Sequence, residues 1–259
     1  MELSLSQVVI AILGSFFAGV INTLAGNGST ITLSLLTDMI GLPGNVANGT
    51  NRIGIFFQSF ASLKGFSKFN LIQGEQTKLI AIITIIGAII GTSVAVTISN
   101  ENFLIVFRYM MVLMLIVVLF KPERWLNTST ANKNISKSKL IPVFLILGFY
   151  GGFIQMGMGI FFLAMLVLVG KYDLMSANAI KTLVVGLFTF FIIGIFAYKG
   201  LIRWDIGMIM AIGQSMGGYL TARYGTAYKY INNLAYGILV AVIVFSLLVQ
   251  FNIIENKIF

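Results

Sequence analysis

The chain is a succession of apolar segments separated by short polar breaks. Apolar segments lie at residues 4–25, 79–98 and 103–120, and each approaches the roughly 20 residues that a helix needs to cross a bilayer. Of the 259 residues, 58% are hydrophobic and 10% are charged, whereas a soluble domain has about 25% charged residues. The pattern predicts an all-α polytopic membrane protein in contact with the lipid bilayer.

A glycine-rich break follows the first apolar segment and is the first candidate for a binding site. Its polar and small residues are Asn22, Gly26, Asn27, Gly28 and Ser29. The two glycines allow positive φ and close backbone approach, and we expect Ser29 to cap a helix that begins at Thr30. A helix start offers unpaired N–H groups and a positive dipole end, which suit an anion. The alternative is a tight helix–helix turn without a ligand.

The second part of the chain repeats the first in the same order. Gly157-Met158-Gly159 corresponds to Gly26-Asn27-Gly28, and Gly213-xxx-Gly217 corresponds to Gly87-xxx-Gly91. Ordered matches of this kind indicate duplication. We therefore predict two homologous halves, each with a glycine-broken helical hairpin and three spans, about eight membrane segments in all. The predicted units are a first membrane repeat, a basic cytoplasmic linker and a second membrane repeat, at residues 1–120, 121–139 and 140–259.

Two arrangements of the halves are open. If residues 4–41 cross the membrane once, the halves are parallel; if these residues fold back as a hairpin, the halves are inverted. The distribution of Lys and Arg over alternate loops fits both arrangements. Length favours the hairpin, because about 36 helical residues rise about 54 Å, against a hydrocarbon core of about 30 Å. We interpret the repeat as inverted.

Two cations within apolar helices are the strongest candidates for binding an anion. Lys181 follows Asn178 on one face of its helix, and Arg52 lies one place from the equivalent position in the first half. Embedded cations usually face a protein interior or a watery cavity, and inverted halves would bring these two toward one centre. The alternative is that both snorkel to the interface. Further candidates that could donate to oxyanion atoms or approach closely are Asn22, Asn48, Thr50, Asn51, Gln155, Gly157, Gly159 and Asn178.

The residue types that are missing exclude several kinds of chemistry. The chain has no Cys and no His, so disulfides, thiol chemistry and histidine acid–base catalysis are excluded. The eight carboxylates fall at or near segment ends. We therefore expect no catalytic residue, no metal site and no cofactor, and we expect that the protein is not an enzyme. The net charge of +9 is attributed to loops that set membrane orientation, and no nucleic-acid partner is expected.

An ordered set of motifs resembles the sulfite exporter TauE/SafE family, also called the 4-toluene sulfonate uptake permease family. The motifs are Asn22-xx-Ala25-Gly26-Asn27-Gly28-Ser29, Gly41-Leu42-Pro43, Ala47–Asn51, and Gly151–Gly159 with Ala177 and Lys181. The resemblance covers essentially the whole chain and implies a multi-pass permease of the bacterial or archaeal inner membrane. It further implies small organosulfur or carboxylated anions, such as sulfite, sulfoacetate or related sulfonates, as substrates. Asn27 stands where the family usually has a third glycine, and Ser34 stands where it usually has a proline.

These observations together predict a permease that moves small anions by alternating access. Lys181 and Arg52 would supply positive charge, and helix starts near Ser29, Asn45 and Ser176 would supply backbone donors. The alternatives are an anion channel lined by the same residues and a membrane protein that does not transport. The sequence leaves the oligomeric state open, a homo-oligomer included.

Overall fold

The computed structural model describes residues 4–66, 75–119, 137–168, 170, 172, 174–224, 240, 241, 243–249, 251 and 253. Within this part of the chain the regular structure is helical and no strand occurs. The helices are α1 (Leu5–Leu24), α2 (Gly28–Ser34), α3 (Gly44–Phe66), α4 (Glu75–Ala95), α5 (Asn100–Leu119), α6 (Lys137–Phe153), α7 (Met158–Leu168), α8 (Leu174–Tyr198) and α9 (Trp204–Tyr224). Residues 240, 241 and 243–249 are helical as well.

The predicted all-α class is confirmed, with shifts at the helix ends. α4 begins at Glu75, before the predicted 79, and ends at Ala95, before the predicted 98. The predicted linker, residues 121–139, lies outside the described residues except for its last three, which begin α6. The division into two repeats and a linker stays a prediction.

Several helices have the length and the outer surface that a bilayer requires. Among the described residues, Leu5–Leu24, Glu75–Ala95 and Ser176–Tyr198 are long and apolar enough to cross a membrane. The exposed side chains of α1 form an apolar stripe at a spacing of four residues: Leu5, Val9, Leu13 and Phe17. Such a stripe faces outward because lipid, unlike water, accepts apolar side chains.

The first glycine-rich break is a hairpin. Gly26 has φ +77°, which reverses the chain between α1 and α2. A methyl group at Gly28 would lie 2.2 Å from the carbonyl oxygen of Ala18, so α2 runs back along α1. At Ser34, the hydroxyl donates to the carbonyl of Thr30 (2.9 Å), and a π-helical turn follows over Leu35–Met39. π-Helical turns often lie at functional positions.

The second break is a hairpin of the same kind. Gly157 has φ +68° and precedes the first residue of α7. The rings of Tyr150 and Phe161 lie 6.1 Å apart, and those of Phe144 and Phe162 lie 5.1 Å apart. These contacts join residues before the break to residues after it. α7 therefore runs back along α6.

Two parallel helix pairs cross from one predicted half to the other. A methyl group at Gly213 of α9 would lie 2.3 Å from the carbonyl oxygen of Ile12 of α1. One at Gly217 would lie 2.1 Å from the carbonyl oxygen of Phe16. α4 and α6 meet in the same way, with Gly87 against the Leu145 carbonyl and Gly91 against the Phe149 carbonyl. In both pairs the contacts advance in the same direction along the two helices. The small-xxx-small spacing allows this close packing.

α3 and α8 cross at the centre of the molecule and run antiparallel. Gly49 of α3 packs on Phe196 of α8, whereas Ser59, ten residues later in α3, packs on Gly186. α9 runs parallel to α3 on its other side. These neighbours bury the polar residues of α3, which are Asn48, Asn51, Arg52, Gln58, Ser59 and Ser62. The interior thus contains a polar zone surrounded by an apolar exterior.

Candidate functional site

The two hairpin tips meet in the interior. A methyl group at Gly26 would lie 2.4 Å from the carbonyl carbon of Gly159, and one at Gly159 would lie 2.4 Å from the carbonyl oxygen of Gly26. Only glycine fits at both positions, because any side chain would force the two backbones apart. Gly28, in contrast, packs within its own hairpin, and Gly157 packs against Met114.

The start of α2 differs from the sequence expectation. The helix begins at Gly28 with Asn27 at the N-cap position, so the expectation that Ser29 caps a helix beginning at Thr30 is wrong. The positive φ of Gly26 turns the chain within one residue, and the helix therefore starts earlier. The hydroxyl of Thr30 donates to the Asn27 side-chain oxygen, and Ser29 lies in the first helical turn. The amide nitrogen of Asn27 is buried and has no hydrogen-bond partner among the described residues.

A cavity lies between the two tips and the central helices α3 and α8. It is narrow and partly open to solvent. The predicted site residues in its lining are Asn22, Gly26, Ser29, Gln155, Gly159 and Lys181. The same lining includes Gln58, a further possible donor in the sequence, and Ser59 and Thr182, which sequence analysis did not select as candidates. Hydroxyls, amides and one ammonium group therefore face one small volume.

Lys181 lies two turns inside α8 and is only 3% exposed. Its ammonium group donates to the backbone carbonyl of Asn22 (3.1 Å) and to the side-chain oxygen of Asn178 (2.8 Å). Asn22 lies in the last turn of α1, where the helix dipole is negative. Its side-chain amide donates in turn to Gln58 (3.1 Å). An ammonium group has three donors, and the described residues accept from two of those of Lys181.

Arg52 has the corresponding role at the second tip. It is fully buried, and it does not line the cavity. Its guanidinium donates to the carbonyls of Gly151 (2.8 Å) and Gly152 (3.1 Å), in the last turn of α6. It also donates to the side-chain oxygens of Asn48 (2.8 Å) and Gln155. Lys181 and Arg52 thus each bind the end of a broken helix from the other predicted half.

Comparison with known proteins agrees with these features. The model of the family described as "Sulfite exporter TauE/SafE" matches residues 11–251. The chain belongs to this family. A "Probable membrane transporter protein ORF9" of Sinorhizobium sp. is 23% identical over 233 residues, which cover 87% of this chain and 86% of the relative. A "Probable membrane transporter protein" of Haemophilus influenzae is 26% identical over 230 residues, with 86% and 87% covered. No solved structure matches the chain significantly.

This TauE/SafE protein is accordingly a multi-pass membrane transporter. The remaining predicted site residues join its helices outside the cavity lining. Asn51 accepts a hydrogen bond from Thr32 of α2 (2.6 Å), and Thr50 accepts one from the backbone N–H of Arg203, just before α9 (3.0 Å). Asn48 donates to the carbonyl of Phe153 at the end of α6 (2.8 Å). These contacts match the alternative in which amides and hydroxyls hold the bundle together.

One buried carboxylate was underrated by the sequence analysis. Asp38 is near the end of its segment, as expected, but it is only 6% exposed and lies in the π-helical turn. It accepts hydrogen bonds from Thr37 and from Ser246 of the last helical segment. The polar pair Thr37-Asp38 within an apolar run is the signal that could have indicated burial, because buried carboxylates need donors.

Proposed function

We propose that this TauE/SafE protein is an inner-membrane permease for small oxyanions of the sulfite, sulfonate or sulfoacetate type, or for related carboxylates. The observation that carries the proposal is the ammonium group of Lys181 in the wall of the cavity where the two hairpin tips meet. The group lies deep in a helix, where an embedded cation is expensive unless it serves a pathway or a ligand. An anion there would receive the third donor of Lys181, and the hydroxyl of Ser29 lines the same volume.

We further propose that the protein works by alternating access between two inverted halves. The directions of the helices support this. α3 of the first half and α8 of the second run antiparallel, although they occupy corresponding places in the repeat. The pairings are reciprocal as well, because α1 packs parallel to α9 and α6 packs parallel to α4. Two hairpins that enter from opposite faces can open toward each side in turn around one site.

Counterflow in proteoliposomes tests the proposal. Purified protein is reconstituted into vesicles that are preloaded with unlabelled anion, and uptake of the radiolabelled anion is followed. The panel is sulfite, thiosulfate, sulfoacetate, taurine and lactate. We expect saturable uptake of at least one anion and faster uptake into preloaded vesicles, because a carrier returns faster when loaded.

Two results would contradict the proposal in different ways. Absence of saturable uptake for every anion in the panel would remove the substrate class. Uptake that is not accelerated by preloading would indicate a continuous pore and would remove alternating access. Empty vesicles serve as the background control.

A further inference from the structure

Gln155 has an unusual backbone conformation at the tip of the second hairpin. Its φ is +61°, the only positive φ at a non-glycine residue in the described part of the chain. Such a conformation is costly for a residue with a Cβ atom, and it persists where the surroundings hold it. Gln155 is 4% exposed and lines the cavity. This left-handed residue ends the turn after α6, where its backbone N–H donates to the carbonyl of Tyr150 (3.3 Å), and its side chain lies in the cavity wall.

Arg52 determines which end of the Gln155 amide faces the cavity. A flip of a glutamine amide exchanges its oxygen and its nitrogen, so the hydrogen-bond partners decide which end is which. A guanidinium group has only donors, so the end of Gln155 that it contacts must be the oxygen. The nitrogen end makes no hydrogen bond to a described residue and is not sealed in the protein interior. The amide NH₂ group is therefore the end available to the cavity.

The surroundings of Arg52 fix this orientation firmly. The same guanidinium binds Gly151, Gly152 and Asn48, so it cannot turn away from Gln155 without losing three further hydrogen bonds. Thr92 adds a hydrogen bond to the carbonyl of Gly152 (3.0 Å). The chain of contacts runs from α3 through Arg52 to Gln155 and ends at the cavity.

We propose that Gln155 is a specificity-determining donor to the bound oxyanion and that Arg52 is its positioning residue, acting on the anion through Gln155 without touching it. The proposal rests on the proposed function, because it assigns a role within the same cavity. The anion then accepts a hydrogen bond from the ammonium group of Lys181 near the first hairpin and another from the amide of Gln155 at the tip of the second hairpin. Ligands that present hydrogen-bond acceptors on both sides are favoured, and a ligand that presents an ammonium group is disfavoured.

The first test is the nearly isosteric substitution Gln155→Glu. Arg52 can still bind one carboxylate oxygen, so the tip keeps its anchor, but the other oxygen replaces the donor with negative charge facing the anion. We expect the half-saturating anion concentration to rise at least about tenfold, with the maximal rate within about twofold, because ground-state binding is lost. Gln7→Glu is the matched control, since Gln7 occupies the capping box of α1, where glutamate serves equally well.

Gln155→Asn is a second variant that keeps the amide and suits a positive φ but is shorter by one methylene. We expect it to raise the half-saturating concentration as well, because its amide no longer spans the distance between Arg52 and the anion. Wild-type half-saturation in both Gln155 variants, with the wild-type protein active, would overturn the inference and leave the proposed function standing. Failure of the wild-type protein to transport any anion of the panel would instead refute the proposed function.

A double-mutant cycle tests whether Arg52 acts through Gln155. We expect Arg52→Met to raise the half-saturating concentration at least about tenfold in the wild-type background but less than about twofold in a Gln155→Ala background. If Arg52→Met does not give a protein with a cooperative melting transition, Arg52→Lys takes its place in the cycle. Lysine keeps the positive charge but lacks the planar guanidinium group that binds several acceptors at once. Equal effects in the two backgrounds would contradict the positioning role.

Discussion

Replacement of Lys181 by methionine is the most direct perturbation of the cavity. Methionine has nearly the same length and no charge, so Lys181→Met removes the donors without leaving a large void. The bonds that disappear are those to the carbonyl of Asn22 (3.1 Å) and to Asn178 (2.8 Å). The third donor, which we assign to the anion, disappears with them.

The expected loss of affinity follows from the strength of a charge-assisted hydrogen bond. Such a bond contributes about 1.5–3 kcal/mol, and about 1.4 kcal/mol corresponds to a factor of ten. We therefore expect the half-saturating anion concentration to rise about 10- to 150-fold. We expect only a small change in the free energy of unfolding. Loss of the hydrogen bonds to Asn22 and Asn178 destabilises the protein, whereas removal of a buried charge stabilises it.

The assay is saturable uptake in proteoliposomes at matched protein content, with the amount of protein in the membrane measured in parallel. Lys199→Met is the matched control, since Lys199 is an exposed lysine just after the end of the same helix. We expect the control to transport like the wild-type protein. Wild-type half-saturation in Lys181→Met, at equal abundance, would refute the idea that this ammonium binds the anion.

Three further predictions follow from the packing and the helix directions. Gly28→Leu and Gly157→Leu should each abolish uptake. A Cβ atom at Gly28 would lie 2.2 Å from the carbonyl oxygen of Ala18, and one at Gly157 would lie 1.9 Å from the sulfur of Met114. Gly194→Leu is the control and should be neutral in the same flux assay, because nothing lies within 4 Å of a Cβ atom there. Lys199→Cys should react with a membrane-impermeant maleimide in intact cells if the halves are inverted; silence there would favour parallel halves. Glu75→Cys should react only after the membrane is broken, and its labelling in intact cells would contradict a cytoplasmic position for that helix start.

The sequence was sufficient for the helices and for the position of both hairpins. Hydrophobic runs mark the helices, and the glycines at positions 26 and 157 mark the breaks, because positive φ at a tight turn has a strong residue preference. It was less informative about helix ends. The start of α2 depends on how far one positive φ turns the chain, which Ser29 as a capping residue type does not reveal.

The partners of the two cations could not be predicted from spacing. Arg52 binds backbone carbonyls that lie 99 and 100 residues away, and any residue type supplies such a carbonyl. The sequence therefore pointed to an embedded cation but not to what it meets. Lys181 was identified by the same rule, and its place in the cavity lining follows from the packing of α1 against α8.

The two cations differ in what an incoming anion can do to them. A broken helix within the membrane leaves carbonyls without intrahelical partners, and each is expensive in hydrocarbon unless another group binds it. Arg52 serves the end of α6 from a fully buried position outside the cavity lining, so a bound anion leaves that connection intact. Lys181 lies within the lining at the end of α1, where the Asn22 carbonyl also accepts from the backbone N–H of Gly26 (2.9 Å) and the ammonium group keeps a third donor for the anion. One ammonium group therefore links the first hairpin to the anion, whereas the second hairpin is bound by a cation outside the cavity lining.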